Sequence, residues 1–301
     1  MNKSFFLTQN CTIFSETSDN MKITTSLENI HSFGGLNFVS EQFDQLKLPE
    51  LIANTLGNRS LLATYDYADI IKNIWMTIFA GGDCAEDIQT NLKAEFENIT
   101  KMKVCSADTI LRLQKELSTE KEIIYSKNEI KNEFNKHIKL NKLNMSLLIK
   151  TKQLKPRSEY TLDYDNQFIP CEKYDAKKSY KMKLGYFPGV ATIGRNIVYF
   201  ENRNGNTNVK FKQHETLQDV FNLLKNNEIK IRRSRMDCGS FTKEVINTIA
   251  ENSELFYIRA QRCEELTGII KEVKTWKEIM IGYKKVAVCS VEYKHFGQEK
   301  P

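Results

Sequence analysis

Apolar residues recur with a helical period in the first half of the chain and with a strand period in much of the second. Asn37–Leu48 carries Phe38, Val39, Phe43 and Leu46, the spacing of a short amphipathic helix ended by Pro49. Tyr67–Phe79 is the clearest helix: Ile70, Ile71, Ile74, Trp75, Ile78 and Phe79 share a face, Asp66 is placed to cap its start, and Gly81-Gly82 stop it. Ile88, Leu92 and Phe96 predict a further helix. Ser106 is placed to cap another over Ala107–Leu117, with Ile110, Leu113 and Leu117 inward. Residues 121–150 are polar, lysine-rich and thinly periodic, and the first twenty residues read as a frayed, disordered tail.

Near Pro156 the pattern changes. Tyr160–Ile169, Tyr186–Ile193 and Asn196–Phe200 read as strands, the last two joined at Gly194-Arg195, with Asn204-Gly205-Asn206 a turn. Thr216–Asn226 is helical, with Leu217, Val220, Phe221 and Leu224 on one face. Ile229–Met236 is extended and runs into Asp237-Cys238-Gly239, after which Ser240 is placed to cap a helix over Phe241–Ala250. A strand over Leu255–Ala260, a helix over Glu264–Val273 and a strand over Lys285–Tyr293 complete the pattern. An all-helical N-terminal region thus precedes an α/β part. The expected division is a tail over 1–20, a helical domain over 21–152 and an α/β domain over 153–301, with the boundary in Lys152–Ser158.

Composition narrows the class. With 41% hydrophobic and 27% charged residues the chain is globular. It has no apolar run long enough for a membrane span and no signal-peptide core, so a cytoplasmic protein without membrane contact is expected. Seven cysteines, none in a CxxC, argue against a disulfide framework or a structural zinc site. Charge is uneven: residues 1–100 hold 6 basic and 13 acidic side chains, whereas 101–160 hold 14 and 7. The basic stretch is compatible with a polyanionic partner, although lysine-rich solvated helix faces are common.

Two aspartate sites could carry chemistry. In Leu162-Asp163-Tyr164-Asp165-Asn166, strand alternation puts Asp163 and Asp165 on one face. In Arg235-Met236-Asp237-Cys238-Gly239 an aspartate ends a strand. Carboxylates at strand ends can converge, and their hard oxygens suit Mg²⁺ or Mn²⁺. Read bare, a D-x-D is more often a solvated pair or turn partner, and a D-x-G at a strand-to-helix turn is usually a cap. Arg232, Arg233 and Arg235 could contact phosphates, and a solvated strand edge explains them as well. No P-loop, GxGxxG or G-x-S-x-G motif occurs, and the four histidines form no short ligand pair.

At these residues the sequence resembles the group-1 DDE transposases of bacterial insertion sequences. Thr161-Leu162-Asp163-Tyr164-Asp165 resembles the family's first catalytic strand, with its L-D-x-D core. Ser234-Arg235-Met236-Asp237-Cys238-Gly239-Ser240-Phe241 resembles its second-aspartate motif. Phe33-Gly34-Gly35-Leu36 and Ser106-Ala107-Asp108-Thr109 resemble short signatures of its helical region. The resemblance implies a ribonuclease-H-like mixed sheet with flanking helices and two divalent ions (Mg²⁺ or Mn²⁺) held by Asp163, Asp165 and Asp237. It also implies cutting and joining of duplex DNA at element ends, with a homodimer on the DNA as the expected assembly. Both members of the L-D-x-D pair are carried over, with Asp165 preferred as the direct ligand. Arg232, Arg233 and Arg235 are the expected nucleic-acid contacts.

One departure matters. The family's third acid is a glutamate on a helix that comes after a further strand. Glu299 lies in a polar terminal stretch and Glu292 on the expected last strand, so neither is assigned the role and the chain reads as truncated. A non-catalytic DNA-binding remnant and a metal-dependent nuclease are the alternatives.

Overall fold

The computed structural model describes residues 32–125, 129 and 131–293, together with the backbone of 11–15 and 22–26. The chain forms two compact units, with the division between Ser118 and Thr119. No helix among the described residues is long and apolar enough to cross a membrane.

In the first unit, β1 (Cys11–Ser15) pairs antiparallel with β2 (Lys22–Ser26). The rest of the expected tail over 1–20 lies outside the described residues. Five helices come next: α1 (Leu36–Gln45), α2 (Leu48–Leu56), α3 (Tyr67–Phe79), α4 (Lys93–Glu97) and α5 (Ala107–Glu116). Pro49 does not simply end a helix. It sits in the first turn of α2, where its missing N–H costs nothing because no intrahelical partner exists there. Ile88, Leu92 and Phe96 are buried as expected, but across a π-helical turn (Ile88–Leu92) that runs into α4.

α3 begins where Asp66 predicts. The Asp66 side chain accepts from the Asp69 N–H, and Asp69 accepts in return from the Asp66 N–H. Asp66→Ala is therefore expected to cost about 1 kcal/mol of stability, read as a lowered Tm in thermal denaturation. An unchanged Tm would remove this box from the determinants of the fold. The buried face differs from the apolar stripe. Ile78 and Phe79 are 62% and 63% exposed, whereas Asn73 and Thr77 are buried. Asn73 Nδ2 donates to the Lys103 carbonyl and its Oδ1 accepts from the Cys105 N–H, both backbone groups of the segment before α5. Met76 and Ile70 flank it in the core.

The second unit is built on a seven-stranded sheet. Its strands are β3 (Glu122–Tyr125), β4 (Lys131–Lys136), β5 (Glu159–Asn166), β9 (Gly189–Ile193), β10 (Asn196–Arg203), β11 (Lys230–Met236) and β12 (Leu255–Ile258), in the order β12-β11-β5-β9-β10-β4-β3. β5, β11 and β12 run parallel, and the remaining pairings are antiparallel. The chain segment that connects β5 to β9 forms a small separate sheet of β6 (Ile169–Pro170), β7 (Lys177–Lys178) and β8 (Leu184–Tyr186). Helices α6 (Ile138–Lys150), α7 (Gln213–Asn226) and α8 (Lys243–Asn252) add Met145, Leu217, Val220, Leu224, Val245 and Ile249 to one core with Leu162, Tyr164, Ala191 and Met236 of the sheet. This is a ribonuclease-H-like mixed sheet with flanking helices, preceded by a helical region.

The polar stretch 121–150 supplies β3, β4 and α6, so the sheet begins upstream of Lys152–Ser158. The cap of α8 also differs from expectation. Thr242, not Ser240, accepts from the Val245 N–H, while Ser240 lies buried in a short 3₁₀ turn (Cys238–Ser240). Beyond β12, α9 (Glu264–Glu272) leads to a separate antiparallel hairpin of β13 (Lys277–Ile281) and β14 (Lys284–Val288). The expected last strand therefore stops at Val288, leaving Glu292 exposed and outside any strand; Glu299 lies outside the described residues.

Candidate active site

The two aspartate segments meet because β5 and β11 are neighbours in parallel register. Arg235 pairs with Asp163 and Met236 with Tyr164, so Asp165 and Asp237 are the next positions of adjacent strands, which lie about 4.8 Å apart. Alternation then sorts the side chains. Leu162, Tyr164, Ser234 and Met236 are buried, and Asp163, Asp165, Arg235 and Asp237 fall on the opposite face. All three aspartates line one open cleft of about 910 Å³, together with Asn166, Val190, Thr192, Gly239 and the stretch Gly205–Val209.

Within the cleft the three carboxylates are not equivalent. Asp163 receives a two-pronged ion pair from Arg235, with Nε at 2.6 Å and Nη2 at 2.7 Å from its oxygens. The planar guanidinium fork matches a carboxylate in this way. Asp165 Oδ1 accepts from the Asn166 N–H at 2.8 Å, and Asp237 Oδ1 accepts from the Gly239 N–H at 2.9 Å. Asp237 thus does cap the turn after β11, as a D-x-G usually does, and among the described residues its second oxygen and that of Asp165 carry no hydrogen bond. Burial and then the negative charge of Asp237 hold the Asp165 carboxyl above its ordinary value, against the hydrogen bond from Asn166.

That shift has a sign. A carboxyl raised in the folded state is disfavoured there once ionised. Stability is complete below the unfolded value and falls as pH rises through that value and the raised folded one. Asp165→Asn, always neutral, is expected to raise the Tm of the cation-free protein slightly at neutral pH. The gain should vanish near about pH 2, where the Asp165 carboxyl is protonated. An asparagine variant less stable than the wild type at neutral pH would contradict the repulsion.

The three arginines separate. Arg235 is committed to Asp163, and Arg232 Nε lies 3.6 Å from Glu254. Arg233 is exposed, with no ion pair among the described residues. They are not on a sheet edge, since β11 is bordered by β5 and β12. Sequence reasoning missed the other wall of the cleft, formed by Phe168, Tyr180, Lys181 and Phe187. Phe168 and Tyr180 lie 6.4 and 5.9 Å from the Phe187 ring, and Lys181 Nζ sits 5.6 Å from the Tyr180 ring. These residues come from short strands and loops without periodicity, which leaves no signal in the pattern.

The only set of three His, Cys, Asp or Glu side chains with ligand atoms mutually within 4.8 Å, among the described residues, is Asp83, Cys84 and Asp87 in the first unit. There Asp87 accepts from the Asp83 and Cys84 N–H groups, a local turn. The cleft aspartates are more widely spread, as expected with Asp163 drawn to Arg235. Hard-oxygen donors at the ends of parallel strands in a ribonuclease-H-like sheet define the class of site. The chain belongs to the group-1 DDE transposase domain family, whose sequence model matches residues 15–296. None of the curated proteins matches it significantly.

Solved structures similar to the chain include the Drosophila P element transposase strand transfer complex, at 11% identity over 70% of this chain and 42% of that one, with a TM-score of 0.28. The piggyBac transposase synaptic complex with hairpin DNA matches at 14% identity over 77% and 52%, with a TM-score of 0.33. The Mos1 mariner paired end complex with Mn matches at 13% over 81% and 90%, with a TM-score of 0.24. The chain thus spans about half or less of the first two.

Proposed function

We propose that this chain is the transposase of an insertion sequence, cutting and joining duplex DNA at transposon ends with divalent cations held by its strand-end aspartates. The observation that carries this reading is the juxtaposition of Asp165 and Asp237 on one face of paired parallel strands, each with an oxygen open to the cleft. Two such carboxylates fit a small hard cation: the donors are oxygens, and burial, with the neighbouring Asp237 charge adding to it, raises the Asp165 carboxyl, a penalty on the ionised form that a bound cation offsets. Asp165 and Asp237 are the direct ligands in this reading. Asp163 is held aside by Arg235 and becomes a ligand only if that pair opens. Mg²⁺ or Mn²⁺ bound there supplies charge stabilisation to the attacking and leaving oxygens of a phosphodiester.

The cleft lining contributes three carboxylates among the described residues, all aspartates. A two-ion site takes a further acid from a different element. Strand joining is therefore expected to depend on such an acid in addition to the three cleft aspartates. The capture of Asp163 by Arg235 favours a second reading, a DNA-binding protein without catalysis.

DNA contact in this proposal comes from Lys and Arg of 101–157, from Arg233 and from Lys181, with the helical region contributing to end recognition and two copies meeting on the DNA. Duplex affinity should fall steeply with salt, at a slope of about −0.9 per phosphate neutralised. The test is duplex DNA carrying the element's ends, with and without Mg²⁺ or Mn²⁺. Cation-dependent nicking supports the transposase. Salt-sensitive binding without nicking supports the second reading, and affinity indifferent to salt contradicts both.

A further inference from the structure

Behind the cleft, on the helix-packed face of the sheet, two charged side chains are completely buried. Glu201 and Arg203, both on β10, are each 0% exposed. Glu201 Oε1 accepts from the Tyr164 hydroxyl at 3.1 Å and from Arg203 Nε at 2.5 Å, and its Oε2 accepts from the Thr216 hydroxyl. Arg203 Nη1 donates to the Phe211 carbonyl and lies 3.4 Å from the carbonyls of Asn208 and Val209, while its guanidinium sits 5.2 Å from the Phe134 ring.

Each end of this network reaches one half of the site. Tyr164 stands between Asp163 and Asp165 on β5. The stretch pinned by Arg203 lines the cleft through Gly205–Val209, and Val209 Cγ2 lies 3.1 Å from where a side chain on Gly239 would begin. Gly239 is the residue whose N–H holds Asp237. A second tie runs from Gln213 Nε2 to the buried Ser240 hydroxyl, at 2.7 Å. The network is closely fitted: a Cβ on Gly189 would come within 2.1 Å of the Tyr164 hydroxyl and 2.6 Å of Glu201.

We propose that Glu201 and Arg203 are positioning residues of the carboxylate site, a buried ion pair that fixes the strand bearing Asp165 relative to the turn bearing Asp237. Stability alone does not account for the pair, because buried ion pairs are often no better than apolar residues of the same volume. An apolar pair fills the space but cannot hold the carbonyls of Asn208, Val209 and Phe211 and the Tyr164 hydroxyl together. The proposal rests on the reading of Asp165 and Asp237 as cation ligands only for its second readout.

The first readout needs no cation. Arg203→Lys keeps the charge but loses the fork. Amide hydrogen exchange in 204–211 and 237–240 is expected to quicken at least about tenfold, with α7 unchanged. Tyr164→Phe, which removes one hydroxyl, should show the same pattern at roughly threefold and keeps the test open if Arg203→Lys does not fold. Ile249→Ala, a core truncation outside the network, should destabilise without singling out those segments. Wild-type exchange in both segments in whichever variant folds, or the same local pattern in Ile249→Ala, overturns the proposal.

The second readout is Mn²⁺ affinity by calorimetry, expected to weaken about 10- to 100-fold in Arg203→Lys and Tyr164→Phe, with the salt dependence of duplex binding unchanged. Wild-type Mn²⁺ affinity in both variants also overturns it. If the wild type binds no Mn²⁺, or Asp237→Ala binds it equally well, the cation reading of the aspartates fails instead, and the exchange experiment alone decides the proposal.

Discussion

Asp237→Ala is expected to lower cation-dependent cleavage of transposon-end DNA by more than roughly a thousandfold, with duplex affinity nearly unchanged. The substitution removes one of the three cleft carboxylates, and one of the two not held by an arginine, and with it a charge and a fixed oxygen. It also removes the acceptor for the Gly239 N–H, so a loss of about 1 kcal/mol of stability should accompany it. Asp237→Asn separates the two effects. The amide oxygen can still accept from Gly239, so stability should return, while the lost charge leaves cleavage low. The measurements are a nicking assay over a Mn²⁺ series and a thermal melt for each variant. Cleavage near the wild-type rate in either variant would remove Asp237 from the site.

The second large effect concerns stability. Leu162 is 0% exposed on β5, an interior strand of the sheet, one residue before Asp163, within the core that α7 and α8 close. Leu162→Ala is expected to cost roughly 2–5 kcal/mol through lost burial and an incompletely collapsed cavity. A typical domain has only about 5–15 kcal/mol in hand. Urea denaturation should show a lower midpoint with an unchanged slope. A change under about 1 kcal/mol would mean that the neighbours close over the gap or that Leu162 is not packed as described.

Elements are legible in the sequence where their signals are local. The ends of α3 are written in Asp66 and in Gly81, whose φ of +88° suits glycine. Its buried face is not legible, because Asn73 turns inward to satisfy backbone groups some thirty residues away, a fact no periodicity records. β3, β4 and α6 are hidden for a related reason: Asn132, Glu133 and Asn141 are polar residues buried on hydrogen-bonded partners, so their elements look solvent-facing. Asp163, Asp165 and Asp237 stand out in the chain because their motifs are compact. The capture of Asp163 by Arg235 depends on strand register, and the buried charges at 201 and 203 on a pairing across three elements, neither of which spacing can show.

The pairing of β11 with β5 slips by one residue between Ile231 and Arg233, an irregularity of the β-bulge kind. Arg232 is the surplus residue, and it and Arg233 are exposed in succession, which a regular strand does not allow. On either side of it the inward positions, Ile231 and then Ser234 and Met236, keep their partners. The strand therefore has a single place where its length is negotiable. Removing Arg232 leaves Ile231 opposite Tyr160 and Asp237 beside Asp165. Removing any one residue from Ser234–Met236 inverts the parity of the residues after it and turns the Asp237 carboxylate toward the core. Single-residue deletions walked along β11 should accordingly be tolerated at the Arg232-Arg233 pair, where losing either arginine leaves the same chain, and lost from Ser234 to Met236.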